Sequence, residues 1–332
     1  MTKDLIEKTK IYNFLACPLC KGSLHLCDGN HLKCLSCKVT YSVEDGIPIL
    51  LPPKLDEWKV LEAEFHSEES DEYVERHAKY SPRVARYHND YLKCFSDFQK
   101  GATVFEVGGG GGVEAIHLKN MGLTLIESDI SIGMVKIGRR RLIAAGQDSA
   151  SIFVVCDAEN LPCADQSLDA ILIVAALHHL PSPELFFKEA KRAIKPGGKL
   201  IVGFEPNRWP YFTIYPALRS LRNLIYPRRR KCPGGISVGD IARTGFTEAD
   251  FEQFLKAAGM KKVSLQRIWF FDGFIQLAIE HINRKRPVGQ LIDLPVALQR
   301  AIVTVDIFLL RIPLMRRLCW HWTLVAERPL ND

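Results

Sequence analysis

Five consecutive glycines, Gly108 to Gly112, limit the folds open to this chain more than any other stretch. Ala102 to Val107 is apolar apart from Glu106, and Val113 opens a helical pattern after the glycines. The order is therefore strand, tight loop, helix. Glycine lets backbone approach a ligand closely, and the start of the next helix offers unpaired N–H groups to an anionic group. Two common phosphate loops do not fit. A dinucleotide fingerprint needs glycine five residues after Gly108, where Val113 stands, and a P-loop needs a Gly-Lys-Ser/Thr ending. What remains is Glu-x-Gly-x-Gly-x-Gly, from Glu106 through Gly108, Gly110 and Gly112.

Further apolar strands follow, each delivering polar residues at its carboxyl end. Leu123 to Ile126 runs into Glu127-Ser128-Asp129, where an acid can accept both hydroxyls of a ribose, Asp129 ahead of Glu127. The alternative is a charge capping the helix near Ser131. Ile152 to Val155 delivers Asp157-Ala158, an acceptor for the exocyclic amine of adenine or else an ordinary turn. Asp169 to Val174 is followed by Ala175-Ala176-Leu177-His178-His179, at the crevice where open α/β sheets bind ligands. Histidine titrates near neutral pH, so the His178/His179 pair reads either as a base or substrate ligand, or as packed side chains shaping the pocket. Glu205, ending the fifth strand, is a second candidate base.

Ahead of this domain stand Cys17-Pro-Leu-Cys20 and Cys34-Leu-Ser-Cys37, two Cys-x2-Cys knuckles. Four thiolates close a tetrahedron around one zinc ion and leave no position for substrate water, so Cys17, Cys20, Cys34 and Cys37 form a structural site. So short a segment has little core of its own, and the metal supplies much of its folding free energy. Acidic residues crowd between Lys54 and Glu75, as in a solvated linker or exposed helix. Ser81-Pro82 reads as the N-cap and first position of the next helix.

Of the 332 residues, 47% are hydrophobic and 25% charged, which excludes wholesale disorder. No apolar run reaches the ~18 residues of a spanning helix, and the first ten residues lack an apolar core, so a cytoplasmic location is expected. The net charge of +6 is uneven: the stretch after Glu205 carries 20 basic and 10 acidic residues, including Arg228-Arg229-Arg230-Lys231 beside aromatics from Trp209 to Tyr215. Such a stretch can contact nucleic acid, cover a small molecule, or be a solvated loop.

Two resemblances tie these features together. Residues 12 to 52, through Tyr41 and the Asp45-Gly46-Ile47-Pro48 ending, resemble the zinc-ribbon domain that activates RNA and protein methyltransferases. The segments VFEVGGGGG, ESDIS, CDAENLPCADQSLDAILI and AALHHLPSPELFFKEAKRAIKPGGKLIV, with the EPN after them, look like a class I S-adenosylmethionine-dependent methyltransferase, nearest the ubiquinone-biosynthesis-like (type 11) group. That likeness implies an α/β, Rossmann-like, seven-stranded sheet whose last two strands, Lys261 to Phe271 and Trp320 to Glu327, pair antiparallel. It implies S-adenosylmethionine as cofactor, with Glu106 and Gly108 at the methionine part, Asp129 at the ribose, and Asp157 with Ala158 at the adenine. Gly110, Gly112 and Ala175 complete the expected cofactor contacts. The chain departs from the family in its five glycines, in Glu127 where a small residue is usual, and in Cys163 where an aromatic is common.

The expected organisation is a zinc ribbon at 1–53, an acidic linker and helices covering the cofactor site at 54–100, and the methyltransferase domain at 101–332 with helical cap segments at 208–245 and 273–318. The last segment can cap an apolar substrate, form a dimer interface, or sit on an anionic membrane surface. The resemblance points to methylation of a small, hydrophobic biosynthetic intermediate. The alternatives are a base methyltransferase of rRNA or tRNA that uses the ribbon for RNA contact, and a non-catalytic cofactor-binding scaffold.

Overall fold

The computed structural model describes residues 15–67, 74, 81–147, 151–214, 245–283 and 286–331. The ribbon consists of β1 (Leu24–Leu26), β2 (His31–Cys34), β3 (Thr40–Glu44) and β4 (Ile47–Leu50), and α1 (Glu57–Ser67) and α2 (Pro82–Leu92) follow it. Ser81 caps α2 as its sequence predicts, its hydroxyl accepting the Val84 N–H at 3.3 Å. Then β5 (Thr103–Val107), α3 (Val113–Asn120), β6 (Thr124–Asp129), α4 (Ile132–Ala144), β7 (Ser151–Cys156), β8 (Leu168–Val174), α5 (Pro183–Ala193) and β9 (Ile194–Pro206) alternate down the chain. The fold closes with α6 (Glu248–Ala258), β10 (Lys261–Ile268), α7 (Phe271–Asn283), α8 (Val296–Leu309), α9 (Pro313–Arg317) and β11 (His321–Glu327).

The strands β7-β6-β5-β8-β9 are parallel, and β11 enters antiparallel between β9 and β10. Every residue of β5 is buried, as expected of a central parallel strand covered on both faces. One face packs α5, α6 and the ribbon, where Leu32, Tyr41 and Leu50 join Phe105, Phe186 and Phe251 in a single core. The other face packs α2 and α3, with Tyr91, Phe95 and Leu118 against Val104 and Leu172.

The four ribbon strands extend the expected seven to an eleven-stranded sheet. β4 pairs in parallel with β7 through Ile49↔Val155 and Leu50↔Cys156, so the sheet runs on into the ribbon. The apolar Ile47-Pro48-Ile49-Leu50 segment covers an edge that β7 would otherwise leave open to water. The cap segment at 273–318 is α7, α8 and α9, whereas Arg228 to Lys231 and most of 208–245 lie outside the described residues.

Candidate cofactor pocket and zinc site

The carboxyl ends of β5, β6, β7 and β8 converge on one cavity of about 220 Å³. Gly108 has φ +63, and a Cβ there would stand 2.7 Å from the Ala176 Cβ, so the loop closes against the β8 end only without a side chain. Gly110 directs its N–H to the Asp129 carboxylate at 3.1 Å, and the other Asp129 oxygen accepts the Ser131 N–H at 2.9 Å. Asp129 thus braces the glycine loop and holds Ser131, the N-cap of α4, while still lining the cavity. Burial raises its pKa against those hydrogen bonds.

Asp157 and Ala158 line the cavity at the end of β7, and Ala175, at φ +50, lines it at the end of β8. Asp157 is held from three sides. Lys59 Nζ donates to it at 2.7 Å, Asn160 Nδ2 at 2.7 Å and the Glu159 N–H at 3.0 Å. Lys59 also pairs with Glu159 at 2.7 Å. Burial pulls the Lys59 ammonium down, but the hydrogen bonds to the two carboxylates outweigh it and raise its pKa.

Five of the residues the sequence singled out stand elsewhere. Gly112 is the left-handed N-cap of α3, and Val113 takes its place on the cavity wall. Glu106 lies beneath the loop, in register with Glu127 on β6, and neither lines the cavity. Glu106 Oε2 and both Glu127 oxygens are buried without a hydrogen-bond partner. Burial pushes both carboxyls well above the usual range, with Glu114 and Glu127 adding repulsion at Glu106 and Asp129 adding it at Glu127. Glu205 is fully buried, and its oxygens accept the N–H groups of Ala176, Leu177 and His178 at 2.9, 2.8 and 3.1 Å. It also binds His178 Nδ1 at 3.0 Å, so both side chains tie the β8 loop to β9 instead of facing the cavity.

His179 does line the cavity, beside two residues that the sequence analysis passed over. Its Nδ1 lies 3.0 Å from Glu62 Oε2, and His66 Nε2 lies 3.3 Å from the same oxygen. Lys59, Glu62 and His66 recur at i, i+3 and i+7 on α1, which puts all three on the face turned to the pocket. That spacing was the available signal, masked by the acidic character of the segment. The Glu62, His66 and His179 ligand atoms lie within 4.8 Å of one another, close enough to grip a cation. They occupy the wall of the same cavity as Gly108 and Asp129, so a ligand of that cavity also accounts for them.

In the ribbon, Cys17 and Cys37 place their sulfurs 3.6 Å apart, and Cys20 and Cys34 theirs 3.4 Å apart. Tetrahedral zinc with Zn–S bonds near 2.3 Å needs sulfur separations of about 3.8 Å, so the four thiols fit the ion. The Tyr41 hydroxyl, 3.1 Å from Cys17 Sγ, supports the site from outside, as hydrogen bonds around structural metals commonly do.

Comparison with known proteins agrees with this architecture. Residues 105–202 match the family model described as a methyltransferase domain, and residues 8–46 match that of Trm112p-like protein. A demethylmenaquinone methyltransferase of Renibacterium salmoninarum is 35% identical over 117 residues, which is 35% of this chain and 47% of the relative. The ubiquinone/menaquinone biosynthesis C-methyltransferase UbiE of Cellvibrio japonicus is 33% identical over 110 residues, 32% of this chain and 44% of the relative. The match spans less than half of either relative. Among solved structures, phosphoethanolamine N-methyltransferase 2 of Haemonchus contortus, in complex with S-adenosyl-L-methionine, superposes with a TM-score of 0.54 at 17% identity, covering 85% of this chain and 62% of that one. The [4+2]-cyclase SpnF gives 0.52 at 18%, covering 76% and 85%. These two likenesses establish the fold alone. By its two sequence matches, the chain joins a Trm112p-like zinc ribbon to a class I methyltransferase domain of the type 11 group.

Proposed function

We propose that the protein transfers the methyl group of S-adenosylmethionine to a small, apolar, quinone-like biosynthetic intermediate. The observation that carries this reading is the cavity at the strand ends, where glycine backbone, Asp129 and Asp157 stand in the order expected for methionine, ribose and adenine. The donor supplies an electrophilic methyl on a sulfonium. The chain's own residues orient it: the Gly108–Gly110 backbone faces the methionine part, Asp129 accepts the ribose hydroxyls, and Asp157, with Ala158 beside it, receives the adenine edge. Glu106 acts indirectly, by supporting the loop from below. Most of the rate enhancement in such a displacement comes from holding the acceptor in line with the methyl. His179, its Nδ1 directed at Glu62, lines the cavity as the residue placed to take a proton from the acceptor. Val107, Ile173, Leu180 and Pro181 give the cavity an apolar wall suited to a hydrophobic acceptor.

Calorimetry with S-adenosylmethionine or S-adenosylhomocysteine tests the pocket, and methyl-labelled donor with cell extracts tests the acceptor. Binding heat, followed by label in the lipid-soluble fraction, is the expected result. Absence of binding heat in zinc-loaded protein ends the reading. The Trm112p-like match favours a second reading, methylation of RNA, and stoichiometric label in RNA with none in small molecules would establish it instead. Tight binding without turnover in any extract would favour a scaffold, since the same fold also serves a cyclase.

A further inference from the structure

The helical insertion between β10 and β11 has one face keyed to the domain and one left open. Inward, Gln299, Ile302, Val303 and Asp306 of α8 are buried. Asp306 accepts the N–H groups of Phe270 and Asp272, each at 3.0 Å, and the Tyr87 hydroxyl at 2.8 Å. Gln299 accepts the Arg83 N–H at 3.1 Å, so polar links fix α8 against α2 and α7. Outward, Leu298, Ala301, Val305 and Phe308 recur at i, i+3, i+7 and i+10, and Ile312 and Leu314 continue the series. Phe308 and Leu314 are each 63% exposed. A helix apolar on both faces belongs in a core or against lipid, and contiguous exposed apolar surface marks a contact.

Charge identifies the contact. Arg300, Arg311, Arg316 and Arg317 are exposed along the same segment, and none forms an ion pair among the described residues. Arg311, Arg316 and Arg317 line a second cavity of about 300 Å³ with Pro313, Arg267 and Glu248. Arg267 is already committed, paired with Glu248 and stacked on Trp322 at 4.7 Å. Three uncommitted guanidinium groups beside projecting Phe and Leu side chains match a layer of lipid phosphates above acyl chains. RNA would use the arginines and leave the aliphatic stripe in water. We propose that the α8–α9 face docks the protein on an anionic lipid bilayer, the apolar stripe entering the headgroup region and the arginines resting against lipid phosphates. Among the described residues no helix is long and apolar enough to cross a membrane, so the contact is peripheral. Docking needs neither methyl donor nor turnover, so its failure and that of the methyl-transfer reading would appear in separate assays.

Co-sedimentation of the full-length, zinc-loaded protein with vesicles tests the contact. The protein should pellet with phosphatidylglycerol–phosphatidylcholine vesicles at low salt, stay in solution with phosphatidylcholine alone, and be released as salt screens the attraction. A basic residue at an anionic surface is worth about fivefold in partitioning, so R316Q/R317Q should weaken binding roughly 25-fold. F308S/L314S should weaken it as well, both variants keeping the wild-type melting temperature and cofactor affinity. Wild-type protein that ignores anionic vesicles, or pellets equally with neutral ones, overturns the proposal. So does an R316Q/R317Q variant that binds vesicles as tightly as wild type, or arginines that are needed to retain RNA while vesicles are not bound.

Discussion

Glu127 is the residue whose position most contradicts ordinary rules of burial. Both its oxygens are buried and unpartnered, beside Glu106 and below the glycine loop, and only Arg141 opposes the burial and the Asp129 charge that raise its pKa. A Cβ at Gly138 would stand 1.9 Å from Glu127 Oε1, so glycine in α4 makes the room the carboxyl occupies. The pH dependence follows from the sign of the shift. A carboxyl with a raised folded-state pKa holds its proton more tightly folded than unfolded, so its contribution is fully present below the unfolded value and is lost as pH rises toward the folded one. E127Q removes that loss, and its amide can donate to the lone Glu106 oxygen. We expect the variant to be about 1 kcal/mol more stable than wild type at pH 8, the gap closing toward pH 4, in urea unfolding followed across pH. A gap that is constant with pH, or a variant less stable at pH 8, would show that Glu127 is ionised and paired in the fold. The sequence marked Glu127 as a departure from the family pattern, but only the facing strand showed that it pairs with Glu106 beneath the loop.

At the scale of elements, local features were legible and long-range pairings were not. The glycine loop and the Ser81 cap are fixed by residues a few positions apart, and each appears where the sequence puts it; the Thr247 capping box and Gly259 bound α6 by equally local contacts. Glu205 illustrates the limit. Its place at the end of a strand suggested chemistry, yet three N–H groups some 27 to 29 residues earlier consume its oxygens. Likewise α1 reads as an acidic linker until the sheet brings Asp157 and His179 to its inner face. Trp58 Nε1 donates to the His179 carbonyl at 3.0 Å, and Ser67 Oγ lies 2.9 Å from Ser131 Oγ, so α1 is tied down at both ends of the cavity. Lys59 anchors it in the middle, and breaking a buried ion pair typically costs about 3 kcal/mol because the remaining charge is stranded. K59M should therefore destabilise the protein by about that amount at pH 7, and by less at pH 4, where Glu159, its carboxyl raised by burial, can take up a proton. Urea midpoints at the two pH values check this, and a neutral effect at pH 7 would mean that α1 stays closed without its lysine.

For the whole molecule, the ribbon and the cofactor cavity are parts of one construction. β4 lies along β7, and Asp157 follows directly on the last residue of β7. Just beyond, the Ala16 N–H reaches the Pro162 carbonyl at 2.8 Å, and Lys21 Nζ reaches the Leu161 carbonyl at 3.2 Å and Glu189 at 2.7 Å. Lys21 sits next to the zinc ligand Cys20, so the metal cluster holds the loop that follows Asp157 and Ala158. If the ion supplies much of the ribbon's folding free energy, its loss releases these bonds and the β4 edge together. Removing zinc with a chelator, or substituting serine for Cys34, should weaken S-adenosylhomocysteine binding at least about tenfold, the equivalent of ~1.4 kcal/mol, although no zinc ligand lines the cavity. Readdition of zinc should restore wild-type affinity but not that of the Cys34→Ser variant. The contrary outcome is equally clear: a metal-free protein that binds as tightly as the loaded one would make the ribbon a passenger whose contacts with the β7 edge carry no strain to the pocket.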